Sequence, residues 1–194
     1  MDALQVLKAD HEVVRDLFSE FKKAKENDET SRLGDLQRKI FSELEVHTAI
    51  EEEVFYPEAK QVGEEAEELI AEGIEEHHVV KVLMGEIEQL EPSDEAFVAK
   101  MTVLIENVEH HAEEEEEELF PKLRKVFGDN RLEAMGDKLQ AAKQRHGAPP
   151  VPESAGLKEL TRDELYEEAS KLDIPGRSDM TKEQLAEAIA NAAS

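Results

Sequence analysis

His47-Thr-Ala-Ile-Glu-Glu-Glu-Val-Phe-Tyr-Pro57 and His111-Ala-Glu-Glu-Glu-Glu-Glu-Glu-Leu-Phe-Pro121 follow one pattern. In each, a Glu stands four residues after the His and a Pro ten residues after it. A second pair of segments repeats in the same way: His11-Glu-Val-Val-Arg-Asp-Leu-Phe18 and His77-His-Val-Val-Lys-Val-Leu-Met84. The segments alternate along the chain, so residues 1–130 read as two copies of one helix pair. Two such pairs predict an all-α, up-down four-helix bundle with pseudo-two-fold symmetry.

Local signals place the helices. Asp2-x-x-Gln5 is a capping box opening a first helix that runs to about Lys25. After the polar stretch Glu26–Ser31, a second helix is expected to end at Tyr56, before Pro57. Gly63 precedes a third helix over about Glu64–Leu90. Pro92 and Ser93 open a fourth, stopped near Phe127 by Gly128 and Asp129. A short helix covers Arg131–His146, which gives a first domain of 1–146. The Pro- and Gly-rich segment 147–156 reads as a linker. The remainder, 157–194, reads as a small helix–loop–helix module framed by the capping boxes Thr161-x-x-Glu164 and Thr181-x-x-Gln184.

Composition narrows the function. The 194 residues include no Cys, which excludes disulfides, thiolate metal sites and thiol nucleophiles. Aromatics make up 5% and the formal net charge is −25, so nucleic-acid phosphate would be repelled. No apolar run is long enough to span a membrane, and no leader is evident at the N-terminus. A cytoplasmic location is expected.

The repeat also concentrates metal-binding side chains. Residues four apart share a helix face, so His47 with Glu51, and His111 with Glu115, can each grip one ion. His11 is followed at +3, +7 and +10 by Val14, Phe18 and Phe21; His77 is followed at the same offsets by Val80, Met84 and Ile87. Such stripes face a bundle core. One His on an apolar face is usually a hydrogen-bonded core residue. Six ionisable groups brought inward in a two-fold pattern need partners, since each unpartnered one costs several kcal/mol. Imidazole and carboxylate suit iron, zinc, manganese or copper. Six ligands exceed what zinc usually takes at one site. If both Glu residues bridge and a solvent-derived oxo or hydroxo bridge is added, two iron ions each keep one open position.

On these residues the chain from Met1 to His146 resembles the hemerythrin-like HHE cation-binding domain. That resemblance implies a bundle holding two non-haem iron ions, with His11, His47, Glu51, His77, His111 and Glu115 as metal ligands. Oxygen-carrying hemerythrins have a fifth His four residues after the helix-three His, where this chain has Lys81. They often carry an Asp five residues after the helix-four His, whereas here Glu115 follows at four. The four-His, two-Glu set is similar instead to iron–sulfur-centre repair proteins and iron-responsive HHE domains, without the Cys-bearing segment of the former. The tail, through Thr161-Arg-Asp-Glu-Leu-Tyr166 and Ile174-Pro-Gly-Arg-Ser-Asp179, resembles the N-terminal module of transcription terminator Rho. Its 5 basic and 10 acidic residues from Val151 to Ser194 favour a protein partner over nucleic acid.

Neighbouring residues have plainer readings. His78, His110, Glu52 and Glu114 are reserve ligands, one residue or about 100° of helix turn from the proposed ones. His146 reads as surface; Tyr56 reads as packing, with a hydrogen bond near the centre as the alternative. Arg15 and Lys81, one turn beyond His11 and His77, should point to one end of the site, either to pair with Glu51, Glu115 or an anion or to run out to the surface. The expected activity is binding or turnover of dioxygen, peroxide or nitric oxide. Enzyme and non-enzyme readings both stand, because no separate catalytic nucleophile or acid–base group is evident. The alternatives are an iron or oxygen sensor signalling through the tail, and iron storage or donation.

Overall fold

The computed structural model describes residues 1–147 and 162–171, and beyond them residues 177, 180–182, 184, 185 and 188. Every regular element among these residues is helical, in the order α1 (Ala3–Glu26), α2 (Thr30–Ile50), α3 (Tyr56–Ala59), α4 (Glu64–Ile87), α5 (Glu95–Glu114), α6 (Phe120–Val126), α7 (Asp129–Gly147) and α8 (Arg162–Lys171). The first compact unit is Met1–Gly147 and the second is Ala148–Ser194. No described helix is long and apolar enough to cross a membrane.

Helices α1, α2, α4 and α5 form the bundle. The Asp2–Gln5 capping box is made in both directions, satisfying two backbone N–H groups at the start of α1. In the second unit Thr181 and Gln184 reciprocate likewise; Thr161 lies outside the described residues, as does the predicted linker beyond Gly147.

Pro57 does not end its helix, contrary to expectation. The chain widens into a π turn over Glu51–Phe55, with the Tyr56 N–H bonded to the Glu51 carbonyl, and continues through α3 and a 3₁₀ turn at Lys60–Val62. The second copy does the same over Glu115–Leu119, where the Phe120 N–H reaches the Glu115 carbonyl. Each Pro then stands in the first turn of the next helical segment, where its missing N–H leaves no bond broken. Both π turns begin at the Glu four residues after a His. Helix α7 is also more than an appendage: its 19 residues pack along α1 and α2. Gly136 permits the closest approach, since a Cβ there would run into the Met1 carbonyl oxygen.

Two apolar clusters fill the unit. One gathers Leu7, Ile50, Phe55, Ile70, Phe120 and Leu139 with their neighbours. The other gathers Phe18, Phe21, Ile40, Leu44, Met84, Phe97 and Met101 with theirs. His11, His47, His77 and His111 fall in sequence between members of the two clusters, so a polar layer is enclosed by dry packing. Phe18, 1% exposed, anchors one side. Phe18→Ala is expected to cost about 3–5 kcal/mol in a denaturant melt; a loss under 1 kcal/mol would mean the cluster re-packs around the cavity.

Candidate metal centre

All six residues singled out by the repeat are buried: His11, His47, Glu51, His77, His111 and Glu115. They form two groups. His11, His47, Glu51 and Glu115 bring one ligand atom each within 4.8 Å of one another, and so do Glu51, His77 and His111. The two groups are not equivalent. Glu51 stands in both, its Oε1 3.2 Å from His47 Nε2 and its Oε2 3.2 Å from His77 Nε2. Glu115 joins only the first, with Oε2 3.5 Å from His11 Nε2. Of the two carboxylates, Glu51 alone stands in both groups.

The outer ring nitrogens show which way each imidazole is turned. His11 Nδ1 donates to Glu116 at 2.9 Å, His77 Nδ1 to Glu52 at 2.9 Å, and His111 Nδ1 to Glu76 at 2.7 Å. A carboxylate only accepts, so the Nδ1 atoms carry the protons and a neutral ring has its lone pair on Nε2. The Nε2 atoms face inward in pairs, His11 against His47 and His77 against His111, both at 3.2 Å. In the His77–His111 pair, where both Nδ1 atoms donate outward, neutral rings face each other lone pair to lone pair, an arrangement that a cation between them relieves. Two nitrogens at that spacing, each ~2.1 Å from one ion, subtend about 100° at it, a normal ligand angle. Both oxygens of Glu51 and of Glu115 are buried without a hydrogen-bond partner. The donors fit one or two metal ions.

Electrostatics in the metal-free chain point the same way. Burial opposes ionisation of Glu51, but the His47 charge and the His111 and His77 imidazoles hold its pKa well below the usual carboxylate range. Burial likewise disfavours a charged His111, yet Glu51 and Glu76 push its pKa well above the ordinary value. His11 is raised for the same reason, by Glu115 against the cost of burial. Buried carboxylate and imidazole thus each favour the other's charged form.

Sequence reasoning missed the outer carboxylates Asp10, Glu76 and Glu116, and held Glu52 only in reserve. Their signal lies in the repeat. An acid precedes His11 and His77, and a Glu follows Glu51 and Glu115. One residue of helix turn carries each away from its own neighbour's ligand and onto the imidazole of an adjacent helix, so it orients that ring. Arg15 and Lys81 complete the pattern: they bond Glu116 and Glu52 at 2.7 Å rather than Glu51 or Glu115, and both side chains reach the surface. His47 differs, its Nδ1 4.0 Å from Asp10, whose other oxygen is held by Lys143 of α7.

Aromatic rings close the site unequally. Phe120 stacks on His11 with ring centroids 6.1 Å apart, and Tyr56, its counterpart in the repeat, stacks on His77 at 5.6 Å. The Tyr56 hydroxyl takes the second of its two expected roles, a hydrogen bond near the centre: it lies 3.4 Å from His77 Nε2 and 3.5 Å from His111 Nε2. Burial, then the charges of Glu115 and Glu51, hold its pKa well above the ordinary phenol range. His78 and His110 are exposed, and His146 pairs with Glu53 at the surface.

The sequence model of the hemerythrin HHE cation-binding domain matches residues 2–123. The chain belongs to this family. The N-terminal domain of Rho termination factor matches residues 156–194. An uncharacterised hemerythrin-like protein of Schizosaccharomyces pombe is 26% identical over 147 residues, covering 74% of this chain and 71% of its own length. A DNA nickase of Nostoc is 26% identical over 145 residues, 75% of this chain but only 40% of the nickase. A crystal structure of a hemerythrin HHE domain-containing protein from Mycobacterium kansasii shares the fold, with a TM-score of 0.65 at 24% identity over 97% of this chain and 99% of that one. The family match at residues 2–123 ends before α7.

Proposed function

We propose that His11, His47, Glu51, His77, His111 and Glu115 hold two non-haem iron ions, and that the centre binds or reacts with dioxygen, peroxide or nitric oxide. The observation that carries this reading is the convergence of inward-facing Nε2 atoms on carboxylate oxygens that have no other partner. Imidazole with carboxylate favours iron over calcium or magnesium, and six donors are more than a single zinc ion uses. Iron supplies redox exchange with small oxygen or nitrogen species. The chain's residues do the rest. Glu116, Glu52 and Glu76 fix the His11, His77 and His111 rings, and the apolar clusters keep bulk water out. The Tyr56 phenol keeps its proton and offers it beside His77 and His111.

Metal content of the purified chain, with optical spectra under air, without oxygen, and after adding peroxide or nitric oxide, tests the reading. Fewer than about two irons per chain, or a spectrum indifferent to all three ligands, would sink it. Tyr56→Phe keeps the ring stack and removes one proton donor. It is expected to slow any peroxide reaction by roughly 100-fold with iron content unchanged; an unaltered rate would leave Tyr56 as packing. A sensing reading is favoured by one observation, the Rho-type module at residues 156–194. Deleting residues 151–194 separates the two. Intact iron chemistry with a lost protein partner supports sensing, and lost turnover supports an enzyme.

A further inference from the structure

His110 and Glu114 sit one residue before the proposed ligands His111 and Glu115, with the same four-residue spacing. They do not reach the inner site. His110 Nε2 instead lies 3.6 Å from Glu114 Oε1 and 3.9 Å from Glu76 Oε1, and the three residues offer ligand atoms within 4.8 Å of one another at the surface. The other oxygen of Glu76 accepts from His111 Nδ1. A small cavity is lined by Gly73, Glu76 and Glu114 together with Tyr56, His111 and Glu115. Glu115 is buried there with neither oxygen partnered. A Cβ on Gly73 would stand 3.1 Å from both the His111 ring and the Tyr56 hydroxyl, so a glycine in mid-helix lets these two cavity-lining groups pack close against α4.

The other copy of the repeat is sealed at the same place. The counterparts of Gly73, His110 and Glu114 are Leu7, Val46 and Ile50, all buried. Asp10, the counterpart of Glu76, is held by Lys143. Helix α7 packs over that side, and its end at Gly147 lies against Val46. Of two sides related by the repeat, one is plugged and covered while the other carries a His, two carboxylates and a gap.

We infer that His110, Glu76 and Glu114 form a surface divalent-metal site through which the inner centre is loaded. The inference rests on the metal-centre reading above. Imidazole with two carboxylates suits ferrous iron. The site raises metal concentration beside the cavity that Glu76 and Glu114 share with His111 and Glu115, and Glu76 links its outer face to His111. A site of this kind changes rates, not the final affinity.

Metal-free full-length chain mixed anaerobically with ferrous iron alone tests this, with chelator-accessible iron followed in time. The His110→Ala/Glu114→Gln double variant is expected to take up iron at least about tenfold more slowly, the lower end of what a charged cleft adds to an association rate. Final iron content and the melting temperature of the loaded chain should match the unmodified protein, and chelator-driven release should slow by the same factor. Glu26→Gln, an exposed charge on α1, controls for net charge and should load normally. Uptake as fast as the unmodified chain overturns the proposal. So does a reduced final content, which would make these residues ligands of the centre itself. If the unmodified chain takes up no iron, the centre fails and the loading site with it.

Discussion

Glu51→Ala is expected to abolish binding at both metal groups, whereas Glu115→Ala should remove only the ion held by His11 and His47. The repeat makes the two residues equivalent in sequence, but their surroundings are not. Each Glu51 oxygen lies 3.2 Å from an imidazole nitrogen of a different group, while Glu115 stands with the first group alone. Removing Glu51 deprives His77 and His111 of the one carboxylate grouped with them, and two neutral imidazoles hold a divalent ion poorly without a compensating charge. Iron content should therefore fall from about two per chain to near zero with Glu51→Ala, and to about one with Glu115→Ala. Equal losses in the two variants would mean that both carboxylates are shared when metal binds. The variants would remain comparable in fold, because each removes a buried charge from the same layer.

Stripping the metal should produce the second large effect. A ligand that binds only the folded chain stabilises it by about 2.7 kcal/mol at a hundredfold excess over its dissociation constant. For a unit of this size that corresponds to roughly 5–10 °C in melting temperature. The gain should depend on pH, with a definite sign. In the metal-free chain the raised His11 and His111 pKa values stabilise the fold fully below the ordinary value near 6.5, and that help is lost as pH rises through the raised values. Metal needs the same imidazoles neutral and so binds better as pH rises. The difference in melting temperature between loaded and stripped chain should grow from pH 5.5 to pH 8. A constant or shrinking difference would place the metal away from these histidines.

Much of this was legible in the residues. Periodicity alone brought Val14, Phe18, Phe21, Val80, Met84 and Ile87 inward, because a helix that buries one stripe must bury what lies on it. The repeat of His and Glu at equal spacings named the residues that meet in the polar layer, since four-residue spacing is a property of the helix itself. Pro57 misled, because a proline reads as a stop and nothing local announces a π turn that carries the helix past it.

The sequence by itself determined an all-helical chain, a doubled helix pair and an interior crowded with imidazole and carboxylate. Those follow from spacing along single helices. Only the tertiary structure decided relations between helices. It turned Glu52, Glu76 and Glu116 onto rings of neighbouring helices, and gave Arg15 and Lys81 those carboxylates as partners. It put the Tyr56 hydroxyl against two imidazoles and set Glu51 between two groups. It also laid α7 over α1 and α2 of the symmetric bundle and left His110 of α5 exposed. Helix register fixes which way a side chain leaves its own axis, but what it meets there depends on the crossing angle and height of the next helix.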